Sequence, residues 1–121
     1  MQIKPIGVIH IEKDKICRIE ISPEYADGLD GLAPGDTLDV LYWMHRLSDT
    51  DRRRLRVHPR GDKSKPMQGV FSLRSPMRPN PVGVTAVDLI ACDGTTLQVR
   101  GLDAKDGSPV IDIKRSRRHA S

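Results

Sequence analysis

The segment RSPMRPNP places two arginines and an asparagine in a stretch of restricted shape between two β-strand patterns. Proline fixes its own φ and has no N–H to donate to a sheet, so this segment is predicted to be a loop with a preset shape. A rigid loop that carries Arg74, Arg78 and Asn80 is typical of a ligand-binding element. A stiff surface loop with solvated arginines is the alternative interpretation.

His45 ends an apolar run from Val40 to Met44, at the point where the chain becomes polar. Such a run predicts a strand that is buried on both faces, at a barrel wall or a subunit interface. Residues at the end of a buried strand often line a pocket, so His45 is a candidate pocket residue. The other three histidines lie in unrelated contexts, and neither cysteine lies near a histidine pair with metal spacing. The sequence therefore supports no nucleophile–histidine arrangement and no metal site.

The elements that must position these residues are short strands. Apolar patterns predict strands over residues 2–11, 16–21, 37–45, 69–73, 82–91, 96–102 and 109–114. Asp93-Gly94 is typical of a hairpin turn, and Ser22-Pro23-Glu24 of the start of a helix that reaches only about Gly31. A chain of 121 residues with 3% aromatic residues and this pattern is predicted to be one all-β domain, a barrel or a sandwich.

Positive charge is concentrated in two places. Seven basic residues and three aspartates give the loop from Asp49 to Lys65 a net charge of +4. Residues 114–121 contain four basic residues and no acid, and we expect residues 115–121 to be a flexible basic tail. Because the whole chain also carries +4, the remainder is negative, and this asymmetry indicates a polyanion as partner. A solvated loop and a frayed tail are the alternative.

Four motifs occur together in one order along the chain: PIGVIH, YADGLDGL with LDVLYWMHR, GVFSLRSPMRPNPVGV, and LDAKDGSPVIDIK. They resemble the TrmO (TsaA-like) family of S-adenosylmethionine-dependent tRNA methyltransferases, from about Pro5 to Lys114. The resemblance implies a single small closed β-barrel over residues 1–114, with one short helix and a long basic loop. The doubly wound sheet of most methyltransferases is not expected, since no glycine-rich strand–helix fingerprint is present.

The resemblance also assigns functional residues. The cofactor-binding residues carried over from the family are His45, Arg46, Arg74, Val84, Leu102, Asp103, Ala104 and Lys105. Arg74 suits the carboxylate of the cofactor, because a guanidinium group binds a carboxylate in bidentate fashion. Asn80 and Arg78 are the candidate catalytic residues. The Asn80 carbonyl can polarise the N–H of an amino group that is to be methylated, and an Asx turn is the alternative role for Asn80.

The family's reaction is N6-methylation of threonylcarbamoyl-adenosine beside the anticodon, so the resemblance predicts tRNA and S-adenosylmethionine as partners. A homodimer is expected, because the run from Val40 to Met44 is too apolar to face water in so small a domain. A cytoplasmic location is expected, because the sequence has neither an apolar stretch of membrane-spanning length nor a signal-peptide core.

The chain departs from longer family members in two places. It lacks their Pro-Arg-Gln insertion after the first strand, and it ends in DIKRSRRHAS where they continue with a segment associated with RNA. Two alternatives therefore stay open beside tRNA methylation. One is a methyltransferase with a small-molecule acceptor, and the other is a non-catalytic barrel that binds RNA or a nucleotide.

Overall fold

Eight strands make up most of the regular structure. The computed structural model describes residues 1–117, and its strands are Gly7–Ile11 (β1), Ile16–Ile21 (β2), Thr37–Trp43 (β3), Arg56–Val57 (β4), Gln68–Gly69 (β5), Val82–Asp93 (β6), Thr96–Arg100 (β7) and Pro109–Arg115 (β8). Six of them close into a barrel in the order β1-β2-β7-β6-β3-β8, and each pairs antiparallel with its neighbours. The predicted all-β closed barrel is confirmed.

Alternation of apolar residues with period two places one face of each barrel strand in a common core. In β2, Cys17, Ile19 and Ile21 are buried while the residues between them are half-exposed. In β3, Val40 and Tyr42 are buried in the same manner. The prediction that β3 is buried on both faces is wrong within a single chain, because its outer-face residues stay half-exposed. The other core residues from the barrel strands are Ile9, Leu38, Val87, Leu89, Leu97, Val99 and Val110.

Two predicted strands differ from those observed. β1 begins only at Gly7, because Pro5 has no N–H for the ladder, and before Gly7 it is Ile6 that donates to the Val110 carbonyl and accepts from the Ser22 N–H. The strand predicted over 69–73 is wrong beyond Gly69, since Val70–Ser72 forms a turn of 3-10 helix. The apolar pair of Val70 and Phe71 suggested a strand, but only Val70 is buried.

The helical segments are short. The helix predicted after Ser22 is present as a 3-10 helix, Pro23–Leu29, and the Ser22 side chain makes no capping hydrogen bond. The α-helix in the described part of the chain is Asp49–Arg52 (α1), a single turn. It has a capping box, in which the Ser48 and Asp51 side chains each accept a hydrogen bond of 3.1 Å from the other residue's backbone N–H. This Ser-x-x-Asp signal in the basic loop was overlooked in the sequence.

The segment between β3 and β6, which contains the basic loop, is folded. In this segment β4 and β5 form a small antiparallel sheet, with Arg56 opposite Gly69. Arg52 connects it to the barrel, since its Nε donates to the Pro79 carbonyl at 3.1 Å and its guanidinium carbon lies 5.3 Å from the centroid of the Trp43 ring. These two contacts therefore attach the segment to the proline-rich loop and to β3.

The last strand extends past the predicted boundary at residue 114. Arg115 belongs to β8 and its Nη2 donates to the Gly31 carbonyl at 2.7 Å and to Asp36 Oδ2 at 3.2 Å. Ser116 is buried, and its backbone N–H donates to the Thr37 carbonyl at 2.8 Å. The first residue of the predicted tail, Arg115, thus belongs to the last barrel strand. Residues 118–121 lie outside the described residues. Within residues 1–117 no helix is long and apolar enough to cross a membrane.

Candidate active site

A cavity of about 500 Å³ opens at one end of the barrel. β3 lies between β6 and β8 and runs antiparallel to both, so its carboxyl end meets the amino ends of these two strands. The residues after β3, the proline-rich loop before β6 and the turn before β8 therefore converge on one place. The volume is within the range of small-molecule sites, roughly 300–1,000 Å³.

The barrel brings most of the predicted cofactor residues together. Seven of the eight line this cavity: His45, Arg46, Arg74, Val84, Asp103, Ala104 and Lys105. Leu102 does not line it, because its side chain packs against the barrel core. Of the two candidate catalytic residues, Arg78 lines the cavity and Asn80 does not.

The lining is basic, with apolar patches. Arg46, Arg74 and Lys105 are exposed side chains on its wall, and Asp103 is the acidic residue among those that line it. Arg74 Nη1 donates to the Val84 carbonyl at 3.3 Å, which leaves the rest of its guanidinium group facing the cavity. Such a set suits a small ligand that carries a carboxylate and a polar or cationic group at a different position.

Tyr42 forms the floor of the site, and it was not among the predicted residues. Its hydroxyl donates to the backbone carbonyl of Asp103 and lies 2.9 Å from Thr85 Oγ1. Burial raises the pKa of the Tyr42 hydroxyl, and the negative charge of Asp103 adds to this, while the Thr85 hydrogen bond and Arg74 oppose it. The hydroxyl therefore stays neutral at physiological pH and remains a donor to the segment that carries Asp103.

Arg78 fixes the shape of the proline-rich loop. Its Nε donates to the Ser75 carbonyl at 2.7 Å, and its Nη2 donates to the carbonyls of Val70 at 2.6 Å and Leu73 at 2.5 Å. Hydrogen bonds from a charged donor are among the strong ones in proteins. Because one side chain binds three carbonyls of the same loop, these contacts fix the conformation of the loop from Val70 to Arg78.

Asn80 lies on the surface at the end of the same loop. Its side chain is exposed and has no hydrogen-bond partner within residues 1–117, so no Asx turn is formed. Its backbone carbonyl accepts from the Val82 N–H at 2.7 Å, and the intervening Pro81 is fully buried. Pro81 therefore anchors the backbone while the Asn80 amide stays free.

His45 lies against the turn before β8. The buried Ser108 hydroxyl donates to the Lys105 carbonyl at 2.6 Å and lies 3.5 Å from His45 Nδ1. The serine proton is used in the shorter bond, so Ser108 holds the turn before β8 and brings it against the His45 ring.

The fold and the site together define a class, a closed antiparallel β-barrel with a basic cavity at one end. Residues 5–119 match the model of the tRNA-methyltransferase O N-terminal domain, and the chain belongs to this family. Membership places it among the S-adenosylmethionine-dependent methyltransferases, and the resemblance that the motifs predicted is confirmed.

Similar proteins are named for the same cofactor. A protein of Methanothermobacter thermautotrophicus, named "Probable S-adenosyl-L-methionine-binding protein", is 46% identical, and the match covers 94% of this chain and 88% of that protein. An "S-adenosyl-L-methionine-binding protein" of Archaeoglobus fulgidus is 42% identical, over 95% of this chain and 88% of its own length. The crystal structure of TrmO from Pseudomonas aeruginosa superposes with a TM-score of 0.73 at 26% identity. That match covers 99% of this chain but 57% of the TrmO chain, so this chain spans little more than half of that protein.

Proposed function

We propose that this chain binds S-adenosylmethionine in the cavity and transfers its methyl group to N6 of threonylcarbamoyl-adenosine next to the anticodon of tRNA. One observation carries the proposal: a single cavity gathers seven residues that the motifs assigned to the cofactor. They come from three separate stretches of chain, so their convergence is a property of the fold and not of their spacing. The names of the similar proteins support the same cofactor.

The cavity fits the chemical groups of S-adenosylmethionine. Arg74 and Arg46 are placed to bind its carboxylate, and Asp103 is placed to accept from its ammonium group or a ribose hydroxyl. Val84 and Ala104 offer apolar surface for the adenine ring. The Tyr42 hydroxyl keeps the segment with Asp103 and Ala104 in position through its hydrogen bond to the Asp103 carbonyl.

Bound S-adenosylmethionine supplies a methyl group that its sulfonium already activates, so alignment and exclusion of water are left to the protein. The acceptor nitrogen is conjugated, and its N–H proton must pass to solvent when the nitrogen is methylated. The free amide of Asn80 offers a carbonyl oxygen to that N–H, on a backbone anchored by the buried Pro81. Arg78 acts as a positioning residue, since its hydrogen bonds go to carbonyls of its own loop.

The basic loop supplies the surface for the tRNA backbone. Several of its cationic side chains are exposed and make no hydrogen bond or ion pair within the described residues, among them those of Arg54, Lys63 and Lys65. Phosphates are the partners expected for such free cations. As an enzyme that acts on tRNA, the protein is placed in the cytoplasm.

A homodimer is part of the proposal. The outer face of β3 meets the start of β8 in an apolar groove of about 320 Å³, lined in part by Trp43, Pro109 and Ile111. Apolar surface on so small a domain is commonly buried against a second copy related by a two-fold axis. The groove lies on the β3–β8 side of the barrel, next to the strand end that forms the active site.

The decisive experiment incubates the purified protein with S-adenosylmethionine and tRNA, and analyses the nucleosides by mass spectrometry. tRNA that carries threonylcarbamoyl-adenosine should gain one methyl group on that nucleoside, and tRNA that lacks the modification should gain none. Methyl transfer to both tRNAs, or to neither while the cofactor still binds, contradicts the proposed acceptor. In the second case a small-molecule acceptor or a non-catalytic barrel takes its place.

A further inference from the structure

Phe71 is an aromatic side chain on the surface with no partner in the described chain. It is 79% exposed. The other aromatic residues lie in different environments: Tyr42 is buried in the core, Tyr25 packs against the core, and Trp43 is half-buried under the guanidinium group of Arg52. An exposed phenylalanine gives up the burial energy that a core position would provide, roughly 1.5–3 kcal/mol. The exposed position of the Phe71 ring is therefore not accounted for by folding stability.

The backbone beneath Phe71 is held in place from both sides. The Val70 N–H donates to the Leu55 carbonyl at 2.9 Å, and the Leu73 N–H donates back to the Val70 carbonyl at 3.2 Å. The Arg78 guanidinium group bonds to the carbonyls of Val70 and Leu73, on either side of the ring. The Val70 side chain is buried, so this turn is anchored while Phe71 points outward.

The turn that carries Phe71 is connected by hydrogen bonds to the cavity wall through Arg78 and to the basic loop through Leu55. Arg78 lines the cavity and donates to the carbonyls of Val70 and Leu73, which lie on either side of Phe71 in the sequence. Arg74, three residues after Phe71, also lines the cavity. On the other side, the Leu55 carbonyl that holds Val70 belongs to the basic segment between Arg54 and Arg56, whose side chains are exposed. An aromatic face flanked by cations is the combination that single-stranded nucleic acid recognises, because bases stack on the ring and phosphates pair with the cations.

We propose that Phe71 is a stacking platform for an unpaired base of the RNA substrate, next to the nucleotide that is methylated. The inference rests on the proposed function and adds to it the element that receives the bases. A fixed aromatic ring loses little conformational entropy on binding, since only two side-chain torsions must be ordered. An apolar protein partner is disfavoured by the surrounding positive charge, which is suited to phosphate.

The test measures binding of a fluorescein-labelled tRNA anticodon stem-loop by anisotropy, with Phe71→Ala, Phe71→Leu and Phe71→Trp. The alanine variant should weaken the affinity by about 5- to 150-fold, the range expected for loss of one base–aromatic stack. The leucine variant should stay weak, because it restores volume but not a π-face, and the tryptophan variant should bind as well as the wild type. Ile11→Ala, at an apolar position of β1 that is 44% exposed and lies outside both the basic loop and the cavity, is the matched control and should bind RNA normally.

Each outcome separates this inference from the proposed function. Calorimetry with S-adenosylhomocysteine should give the same affinity for all the variants, which shows that the fold and cavity are intact. If the wild type binds RNA and Phe71→Ala binds it equally well, or if leucine restores binding fully, stacking by Phe71 is ruled out while the proposed function stands. If the alanine variant instead changes the oligomeric mass in light scattering, the ring belongs to a protein interface. If the wild type binds no RNA at all, the RNA substrate and this inference are both lost.

Discussion

The ring of Tyr42 lies against Gly83, its direct partner on the neighbouring strand, and leaves no room there for a side chain. A Cβ atom on Gly83 would lie 2.5 Å from Tyr42 Cε2 and 2.6 Å from Cζ. Because the ring crosses the glycine, its hydroxyl reaches Thr85 and the Asp103 carbonyl. A pairing between β3 and β6 thus sets the position of a segment of the cavity wall.

Gly83→Ala should therefore damage both stability and cofactor binding. The ring or the strand must move, which we expect to cost about 1–3 kcal/mol of unfolding free energy, as for other overpacked sites. Chemical denaturation and calorimetry with S-adenosylhomocysteine measure the two effects. Gly28→Ala is the matched control, since a Cβ there meets nothing within 4 Å, and it should bind normally. Wild-type affinity in Gly83→Ala would show that the position of Tyr42 does not affect the site.

Tyr42→Phe should weaken cofactor affinity while the barrel stays folded. The Asp103 carbonyl and the Thr85 hydroxyl lose their partner, and an unsatisfied polar group costs roughly 1–3 kcal/mol. Tyr25→Phe is the control, because the Tyr25 hydroxyl makes no hydrogen bond within the described chain. Equal affinity for the wild type and both variants would remove Tyr42 from the site.

The pKa of Tyr42 gives this contact a pH dependence. Burial raises the pKa of the folded-state hydroxyl above its ordinary value of 10.0, so the stability that Tyr42 contributes is fully present below that pH. It is lost as the pH rises through the folded-state pKa. The difference in unfolding free energy between the wild type and Tyr42→Phe should be constant up to about pH 10 and decline above it. A difference that grows in that range contradicts the assignment.

Arg74→Ala tests the carboxylate site. Loss of a charge-assisted contact should lower the affinity for S-adenosylhomocysteine by roughly 1.5–3 kcal/mol, about 10- to 150-fold. Arg100→Ala removes an equally charged, exposed side chain from β7 and should leave the affinity unchanged. If the two variants bind alike, Arg74 does not contact the ligand.

Charge reversal in the basic loop tests the tRNA surface. Arg52 is unsuitable for this, because it holds Pro79 and covers Trp43, and its loss would disturb the fold. Arg54→Glu combined with Lys63→Glu should lower tRNA affinity and flatten its dependence on salt, while cofactor affinity is kept. Lys13→Glu with Arg100→Glu is a control of equal charge change on exposed residues outside the loop. Unchanged methylation of tRNA by the loop variant would exclude this surface.

Light scattering tests the homodimer. The wild type should have twice the mass of one chain at micromolar concentration, and Ile111→Glu, in the apolar groove, should shift it toward the monomer. Ile11→Glu changes an exposed isoleucine of β1 and should leave the mass unchanged. A monomeric wild type rules out the dimer.

Local sequence patterns predicted the six barrel strands, but neither β4 nor the site as a whole. β2 was predicted to the residue, because apolar alternation over six residues between polar segments leaves one choice of face. The one-turn helix at Asp49 was overlooked, since four residues are too few to show a helical period. The segment at Val70 was predicted as a strand, because only the fold shows that Arg78 holds its carbonyls in a turn.

The site depends on contacts between residues that are distant in sequence. A glycine inside a strand, as at Gly83, signals close approach of another group, but its partner follows only from the register between β3 and β6. The motif resemblance located half of the cavity-lining residues without that register. It failed to identify Tyr42, whose contribution is made by a hydroxyl that reaches a backbone carbonyl on a different segment.

The barrel is closed by its shortest ladder, the two residue pairs that join β1 to β8. Beyond them, Ile9 continues the join through backbone hydrogen bonds of 2.9 Å with Ser108 and 2.8 Å with Gly107, in the turn that lines the cavity. The seam thus connects segments about a hundred residues apart in sequence, a separation that makes its closure entropically costly. The same contacts that close the barrel therefore complete the cavity wall. A ligand bound in the cavity should stabilise this seam and slow hydrogen exchange at the Ile9 N–H.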